Sequence, residues 1–254
     1  YRKSDALDML NTLAAAQHFD ELHGATAPRS AASAPQLAPH WQQFFEHLGP
    51  NTSPAELDRR QASLQRQIRD NGITYNLYAD PKQPQRPWAL DLFPLIISAQ
   101  DWRQIEAGVA QRVRVLDRLM ADAYGEQRLL KRGWVPPALV YGHPGYLPAA
   151  HGLLPTDATH VHIAAFDLAR GPDGNWWVIS QRTQAPSGLG YLIENRLSIS
   201  RQFPQAFAGM GVQRLAATYR ALIDNLKRSS PAPAGEDPHI ALLTPGPFNE
   251  TYFE

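Results

Sequence analysis

Cysteine is missing from this chain of 254 residues. Its absence excludes thiol catalysis, disulfide bonds and cysteine metal sites, and it is typical of a cytoplasmic protein, which is the location that we predict. A charge excess is missing too, because 24 Lys and Arg balance 24 Asp and Glu. Nonspecific nucleic-acid binders usually carry a basic excess, so we predict no nucleic-acid partner. No apolar run approaches the roughly 20 residues that cross a bilayer, so we predict no membrane partner.

The chain does contain a turn signal between two runs of β-forming residues. Residues 161–166 favour a strand, and Trp176–Ile179 favour its return strand. Residues 172–174 (Pro-Asp-Gly) predict the turn between them, because Gly adopts positive φ without steric cost. Residues 160–182 therefore predict a β-hairpin. The polar loop Gln184–Gly190 follows it, and a loop on a rigid support often holds catalytic groups.

Amphipathic segments on both sides of the hairpin predict helices. The predicted helices cover residues 1–16, 54–70, 99–124, 190–200 and 212–227. Near the end, residues 239–243 predict a buried strand, and Asn249 is a candidate cap for a helix that starts at Glu250. One strand and one helical turn cannot bury both of their faces. We therefore expect the chain to be a fragment of a longer protein.

Short motifs along the chain resemble those of the circularly permuted ATP-grasp family, which includes glutathionylspermidine synthetase-like ligases. The motifs are Phe19–Leu22, Pro39–Trp41, Asp70–Tyr78, Trp88 with Asp91–Pro94, Tyr141–Tyr146, His160–Arg196 and Leu243–Thr251. Each is weak alone, but the ordered set is specific and spans Phe19–Glu254. Within this family the chain most resembles the long bacterial proteins that also carry an α-helical "alpha-E" domain.

The resemblance implies an α/β chain with a partial circularly permuted ATP-grasp fold: a mixed or antiparallel hairpin sheet with long helices. It implies an N-terminal helix and loop at 1–40, a permuted ATP-grasp half at 41–230, and the first βα unit of a truncated Rossmann-like domain at 239–254. The implied activity is ATP-dependent joining of a small-molecule or peptide carboxylate to an amine through an acyl phosphate. The implied cofactors are ATP and Mg²⁺. The downstream remainder of the same chain is an implied partner, without which the fragment is expected to be inactive.

The resemblance places Asp167 at a metal-ligand position. Where relatives carry Glu and Asn as further ligands, this chain has Ser180 and Arg182. A guanidinium offers only N–H donors and stays protonated, so it cannot ligate a cation. The Mg²⁺ site is therefore either rebuilt or lost. Arg182 becomes a candidate catalytic clamp for phosphate or carboxylate, and a structural ion pair is the equally open alternative.

The loop and the helix that follows it supply the other candidates. Ser187, Gly188 and Gly190 are candidate cofactor-binding residues, because backbone N–H groups at a helix start bind anions. Glu194 is a candidate catalytic residue that we expect to face the same cleft as Asp167 and Arg182. Further candidates for cofactor binding are Asn195 and Arg196. The alternative for residues 194–196 is that they only orient the loop.

Three functions remain open from the sequence. The first is a fragment of an ATP-dependent carboxylate–amine ligase. The second is a noncatalytic ATP-grasp-like pseudoenzyme or binding module, which Ser180 and Arg182 favour. The third is a helical interaction scaffold, which leaves the hairpin and its loop without a role.

Overall fold

Helices dominate the part of the chain that the structure describes. The computed structural model describes residues 19–24, 36–49, 52–75, 86, 88–155, 157–233 and 235–254. Its helices are α1 (Pro39–Leu48), α2 (Pro54–Asp70), α3 (Ala99–Ala123), α4 (Arg128–Lys131), α5 (Pro137–Tyr141), a 3₁₀ turn (Pro148–Ala150), α6 (Leu189–Gln202), α7 (Pro204–Gly209) and α8 (Ala216–Arg228). Strands β1 (Ala165–Arg170) and β2 (Trp176–Arg182) form a two-stranded antiparallel sheet. The α/β class is therefore confirmed. No helix in the described ranges is long and apolar enough to cross a membrane.

Side-chain caps mark the starts of α2 and α3. Ser53 Oγ accepts a hydrogen bond from the N–H of Glu56 at 3.3 Å, and Ser98 Oγ accepts one from the N–H of Asp101 at 3.1 Å. Each cap satisfies an N–H group that the first helical turn leaves without a partner. The helices predicted at 54–70, 99–124 and 190–200 are confirmed within two residues or so of their ends.

One predicted helix begins later than expected, one helix of the structure was not predicted, and one predicted helix lies outside the described residues. The helix predicted from residue 212 begins at Ala216. Helix α1 was not predicted, although Pro39 occupies its first turn, where proline is well tolerated. The helix predicted at 1–16 falls outside the described ranges.

The core lies where α1, α2, α6 and α7 meet, and aromatic rings fill much of it. Its members include Trp41, Phe44, Leu64, Ile68, Ile73, Leu92, Tyr191, Ile199, Phe203 and Ala206. The rings of Phe44 and Phe203 meet edge to face with centroids 5.1 Å apart, a favoured aromatic geometry. Arg60 of α2 donates from Nη1 to the carbonyl of Gln202 at 2.8 Å. This contact satisfies a carbonyl at the end of α6 and fixes α6 against α2.

The hairpin is confirmed, but its first strand lies later in the sequence than predicted. We expected residues 161–166 to pair, whereas β1 runs from Ala165 to Arg170. The turn sets the position of β1 in the sequence, because pairing begins at Arg170 opposite Trp176 and extends away from the turn. The backbone N–H groups of His160 and Val161 instead donate to Asp117 Oδ1 on α3, at 2.7 and 2.9 Å.

The predicted strand at 239–243 is not formed. These residues adopt no helix or strand, and Leu242 and Leu243 are 86% and 97% exposed. A buried strand needs ladder partners and a covering layer, and the two-stranded sheet of the described residues gives it neither. Asn249 does cap locally, since its Oδ1 accepts from the N–H of Thr251 at 3.0 Å, but the segment forms turns rather than an α-helix. The predicted Rossmann-like unit stays a prediction.

Candidate functional site

A β-bulge determines which side chains share the outer face of the hairpin. Asp167 pairs with Ser180 and Leu168 pairs with Val178, so Ile179 is an extra residue in β2. Without the bulge, Ile179 would stand opposite Asp167, and Ser180 would point to the other face. The bulge absorbs Ile179 and leaves Asp167, Ser180 and Arg182 on one face. Bulges that re-aim side chains in this way are common beside active sites.

Asp167 accepts hydrogen bonds from both of its polar neighbours on β2. Ser180 Oγ donates to Asp167 Oδ2, and Arg182 Nη2 donates to Asp167 Oδ1 at 3.0 Å. Asp167 was expected to end the first strand, but it is the third residue of β1 and the strand continues to Arg170. Arg182 does end β2, as expected. The side chains of Arg182 and Asp167 are 56% and 52% exposed, so a ligand from solvent can reach the pair.

The residues around Asp167 do not fit Mg²⁺. The ion needs several hard oxygen ligands in near-octahedral geometry. Asp167 contributes one carboxylate, and the guanidinium that it contacts would repel a cation. In the described ranges, no three His, Cys, Asp or Glu side chains converge closely enough to hold a metal ion. The hairpin is therefore suited to binding an anion through Arg182 rather than a metal through Asp167.

The loop between β2 and α6 has an unusual backbone. Ala185 has φ +42°, which is uncommon for a residue with a Cβ, and Gly188 has φ +123°, which L side chains rarely adopt. Ser187 is exposed, and the N-cap residue of α6 is Gly188, which has no side chain with which to cap the helix. Strained backbone of this kind is concentrated at functional sites, because the surrounding structure must hold it in place.

The N-terminus of α6 holds an anion, and that anion belongs to the chain itself. The N–H of Gly188 donates to both carboxylate oxygens of Glu254, at 2.8 and 2.9 Å, and the N–H of Gly190 donates to Oε1 at 2.9 Å. Phe253 packs against Tyr191 with ring centroids 5.8 Å apart. Burial raises the pKa of the Tyr191 hydroxyl, and the charge of Glu254 and nearby Tyr75 raise it further.

Residues 194–196 lie on α6, as expected, and two of them have partners within the chain. Asn195 Oδ1 accepts from Trp88 Nε1 at 2.8 Å, and Trp88 stacks on Tyr191 with centroids 4.4 Å apart. Arg196 donates to the carbonyl of Gln213, and burial lowers its pKa. These contacts orient α6. Cofactor binding by Asn195 and Arg196 stays a prediction.

The structure brings together only part of the predicted cleft. Asp167 and Arg182 are in contact, whereas the hydrogen bonds among the described residues include none from Ser187 or Glu194 to this pair. Glu194 lies in the second turn of α6 and is half-buried. Convergence of Ser187 and Glu194 on the pair therefore stays a prediction.

Arg170 anchors the turn end of the hairpin to the rest of the fold. Its Nη1 lies 3.0 Å from Glu21 Oε2, its Nη2 lies 3.3 Å from Asp101 Oδ2, and its side chain is only 15% exposed. The guanidinium also lies 3.8 Å from the centroid of the Phe19 ring. This ion-pair cluster joins two segments that the sequence marked as family motifs, Phe19–Leu22 and the hairpin.

Comparison with known proteins decides the family. The model of the family described as "Circularly permuted ATP-grasp type 2" matches residues 94–254, which include the hairpin, the loop and α6. The chain belongs to this family. ATP-grasp ligases generally use ATP and Mg²⁺ and act on small-molecule carboxylates and amines.

Proteins of several bacteria are identical to this chain at about a third of the aligned residues. An uncharacterized protein of Mycobacterium leprae is 36% identical over 214 residues, which cover 84% of this chain and 37% of the relative. An uncharacterized protein of Mycobacterium tuberculosis H37Rv is 35% identical, covering 86% and 25%. A protein of Frankia alni named putative glutamate–cysteine ligase 2-3 is 34% identical, covering 93% and 26%. The chain thus spans well under half the length of each of these relatives.

Sequence reasoning missed Glu254 as a site residue. Glu254 lies 66 residues from Gly188 along the chain, and no local pattern links the two positions. The Leu243–Thr251 motif was the only nearby signal, and it ends before Glu254. Arg170 was missed for the same reason, because its partner Glu21 lies 149 residues away.

Proposed function

We propose that this chain forms part of an ATP-dependent ligase that joins a carboxylate to an amine. The observation that carries the proposal is the family match, which covers the hairpin, the loop and α6. This region contains the exposed Arg182–Asp167 pair and, after it, the backbone N–H of Gly188, which binds a carboxylate. The name of the Frankia alni relative, putative glutamate–cysteine ligase, supports a carboxylate–amine substrate pair. Because the chain covers 25% to 37% of the relatives described above, the activity is proposed for the longer protein.

Arg182 is the residue proposed to handle substrate charge. Its planar guanidinium presents several N–H donors and binds a carboxylate or phosphate bidentately. Asp167 holds it from one side through Nη2, which fixes the orientation of the plane. In this role Arg182 neutralises an oxyanion at the place where relatives are expected to use metal ligands. ATP, when bound, supplies the phosphoryl group that activates the carboxylate.

The other predicted site residues belong to the same proposal. Ser187, Gly188 and Gly190 are proposed to contact the phosphates, and Glu194 to act in the cleft. Mg²⁺ is not assigned to Asp167, because the Arg182 contact does not fit a cation. The remainder of the longer protein is proposed to complete the nucleotide site.

The test uses the longer protein with ATP, glutamate and cysteine as first substrates. We expect ADP and phosphate release that depends on both the carboxylate and the amine. Arg182→Ala should lower this turnover at least about tenfold, because an oriented charge clamp contributes on the order of 1.4 kcal/mol or more. Arg128→Ala removes a comparably exposed arginine paired with Glu126 and should leave turnover unchanged. Turnover that survives Arg182→Ala intact would contradict the assigned role.

The second candidate is a noncatalytic binding module. It is favoured by one observation: the carboxylate at the expected metal position is already bonded to an arginine and a serine. Calorimetry for ATP binding, combined with an assay for ADP release, separates the two candidates. A ligase binds ATP in the presence of Mg²⁺ and turns it over, whereas a module that binds ATP with no turnover for any carboxylate and amine tried would establish the second candidate.

A further inference from the structure

Helix α3 has little of its surface covered by the rest of the described chain. Of its 25 residues, only Ile105 is buried. A helix on a globular fold normally buries an apolar stripe against its neighbours. On α3, Val115 and Leu119 lie one turn apart and are 54% and 37% exposed. Exposed apolar side chains that lie side by side mark a candidate binding surface.

These two side chains line a shallow cleft between α3 and α4, here called the α3–α4 cleft. Its volume is about 330 Å³, and its residues are Gln111, Arg114, Val115, Arg118, Leu119 and Leu129. The five residues from α3 recur at intervals of three and four, so they form one stripe along the helix. Because the cleft is open rather than enclosed, it suits a polypeptide segment better than a small molecule, which needs a pocket around it.

Two arginines of the α3–α4 cleft lack an ionic partner within the described ranges. Arg114 and Arg118 are exposed, and the ion pairs formed there include neither of them. The acidic residues of the same stretch of helix are engaged elsewhere. Asp117 accepts from backbone N–H groups ahead of β1, and Asp122 accepts from the first N–H groups of α4. The cleft therefore presents two guanidinium groups beside an apolar floor.

An exposed tryptophan adjoins the α3–α4 cleft. The backbone N–H of Trp134 donates to the carbonyl of Leu129 at 3.0 Å, and the residue is exposed. The guanidinium of Arg132 lies 5.3 Å from the centroid of the Trp134 ring. Tryptophan and arginine are enriched among the residues that contribute most to protein–protein binding. This part of the surface thus has the composition of a protein interface.

We propose that the α3–α4 cleft docks an acidic segment of a partner protein. Carboxylates of the segment pair with Arg114 and Arg118, and its apolar side chains cover Val115 and Leu119. Charge complementarity requires an anionic partner, and the apolar floor favours a polypeptide over a nucleic acid. A membrane receives apolar side chains that protrude, whereas these line a cleft. The net charge of zero gives the chain no broad basic field for either alternative.

Selection from a phage-displayed library of random peptides tests this proposal and does not depend on ligase activity. The immobilised 254-residue chain is the target. We expect the enriched peptides to combine Asp or Glu with apolar residues, because the cleft combines arginines with an apolar floor. No enrichment, or enrichment of peptides without acidic residues, would overturn the proposal.

The enriched peptides are then synthesised, and their dissociation constants are measured by fluorescence anisotropy on three variants. Arg114→Glu and Arg118→Glu should each weaken binding at least about tenfold, because an attraction becomes a repulsion. Arg112→Glu changes the net charge equally at an exposed position of α3 outside the cleft, and it should bind as wild type does. Equal losses in all three variants would show a general effect of charge and would contradict docking in the cleft.

Two further measurements cover other anions and any disturbance by the substitutions. In wild type, the methyl NMR signals of Val115, Leu119 and Leu129 should shift when the peptide is added. Shifts confined to other parts of the chain would overturn the proposal. Phosphatidylserine vesicles and a single-stranded oligonucleotide are tested in parallel. If either binds wild type more tightly than the peptides do and loses binding in Arg114→Glu, the cleft belongs to that anion and not to an acidic protein segment.

Discussion

Nη2 of Arg182 lies 3.0 Å from Oδ1 of Asp167 on the outer face of the hairpin. The contact exists because the bulge at Ile179 sets both side chains on that face. It joins the residue expected to bind a metal to the residue that makes metal binding unfavourable.

Removing Arg182 should change stability little. Both side chains are more than half exposed, and exposed ion pairs typically contribute about 0 to 1 kcal/mol. We expect Arg182→Ala to lower the free energy of unfolding by less than about 1 kcal/mol in urea titrations. Asp237→Ala, which breaks the exposed pair with Lys227, is the control and should have a similar small effect. A loss of several kcal/mol would make Arg182 a structural residue.

Removing Arg170 should lower the free energy of unfolding substantially. Its side chain is 15% exposed and contacts Glu21 and Asp101, so Arg170→Ala leaves two partly buried carboxylates without their cation. We expect a loss of about 2 to 4 kcal/mol in the free energy of unfolding, less than the full cost of a completely buried pair. Urea titration of the variant measures it. Arg128→Ala, which breaks a well-exposed pair, should stay within about 1 kcal/mol of wild type.

Two glycine-to-alanine substitutions should change the stability of the fold in opposite directions. Gly188 has φ +123°, so Gly188→Ala should destabilise the chain by about 1 to 3 kcal/mol through backbone strain. Gly108 lies inside α3, and no neighbouring group comes within 4 Å of the place that an alanine Cβ would take, so Gly108→Ala should stabilise by about 0.5 to 1 kcal/mol. The thermal midpoints of both variants, compared with that of wild type, test these two predictions. A neutral Gly188→Ala would mean that the loop relaxes out of its positive-φ conformation.

Stability should fall as the pH drops below neutral, in part because of His40. Burial lowers the pKa of His40 below its ordinary 6.5, nearby Arg170 lowers it further, and Asp101 and Glu21 oppose the shift. A folded-state pKa below the unfolded value means that His40 contributes its full stability above 6.5 and loses it as pH falls toward the folded pKa.

The measurement compares thermal midpoints at about pH 7.5 and about pH 5.5 for wild type and His40→Gln. We expect the decrease on acidification to be smaller in His40→Gln. His239→Gln replaces an exposed histidine and should retain the wild-type decrease. A decrease in His40→Gln as large as in wild type would show that other groups set the acid sensitivity.

Local signals explain the helices that sequence reasoning predicted. Ser53 with Pro54, and Ser98 before α3, mark helix starts through hydrogen bonds that span three residues. The hairpin turn was also predicted from a local signal, the Pro-Asp-Gly sequence at residues 172–174. The boundary of β1 was wrong, because residues 160 and 161 bond to Asp117 on α3, a contact that no short window of sequence contains.

The strand predicted at residues 239–243 was wrong for a different reason. Their apolar composition favours a buried strand, but composition cannot supply the neighbouring strands that a buried strand requires. In the structure these residues are exposed coil. The β propensity of a segment reports how well it fits a sheet, not whether a sheet is there to receive it.

The sequence by itself determined the chemistry available to this protein: no thiol, a glycine turn, an arginine at 182 in place of a metal ligand, and glycines at the start of α6. Only the tertiary structure decided how these groups are used. Arg182 meets Asp167 because a bulge sets the strand register, and Glu254 reaches Gly188 across 66 residues because the chain returns to α6. Contacts between distant residues depend on the path of the whole chain and on the packing that offsets the entropy of closing such loops, and that path is not encoded in any local pattern.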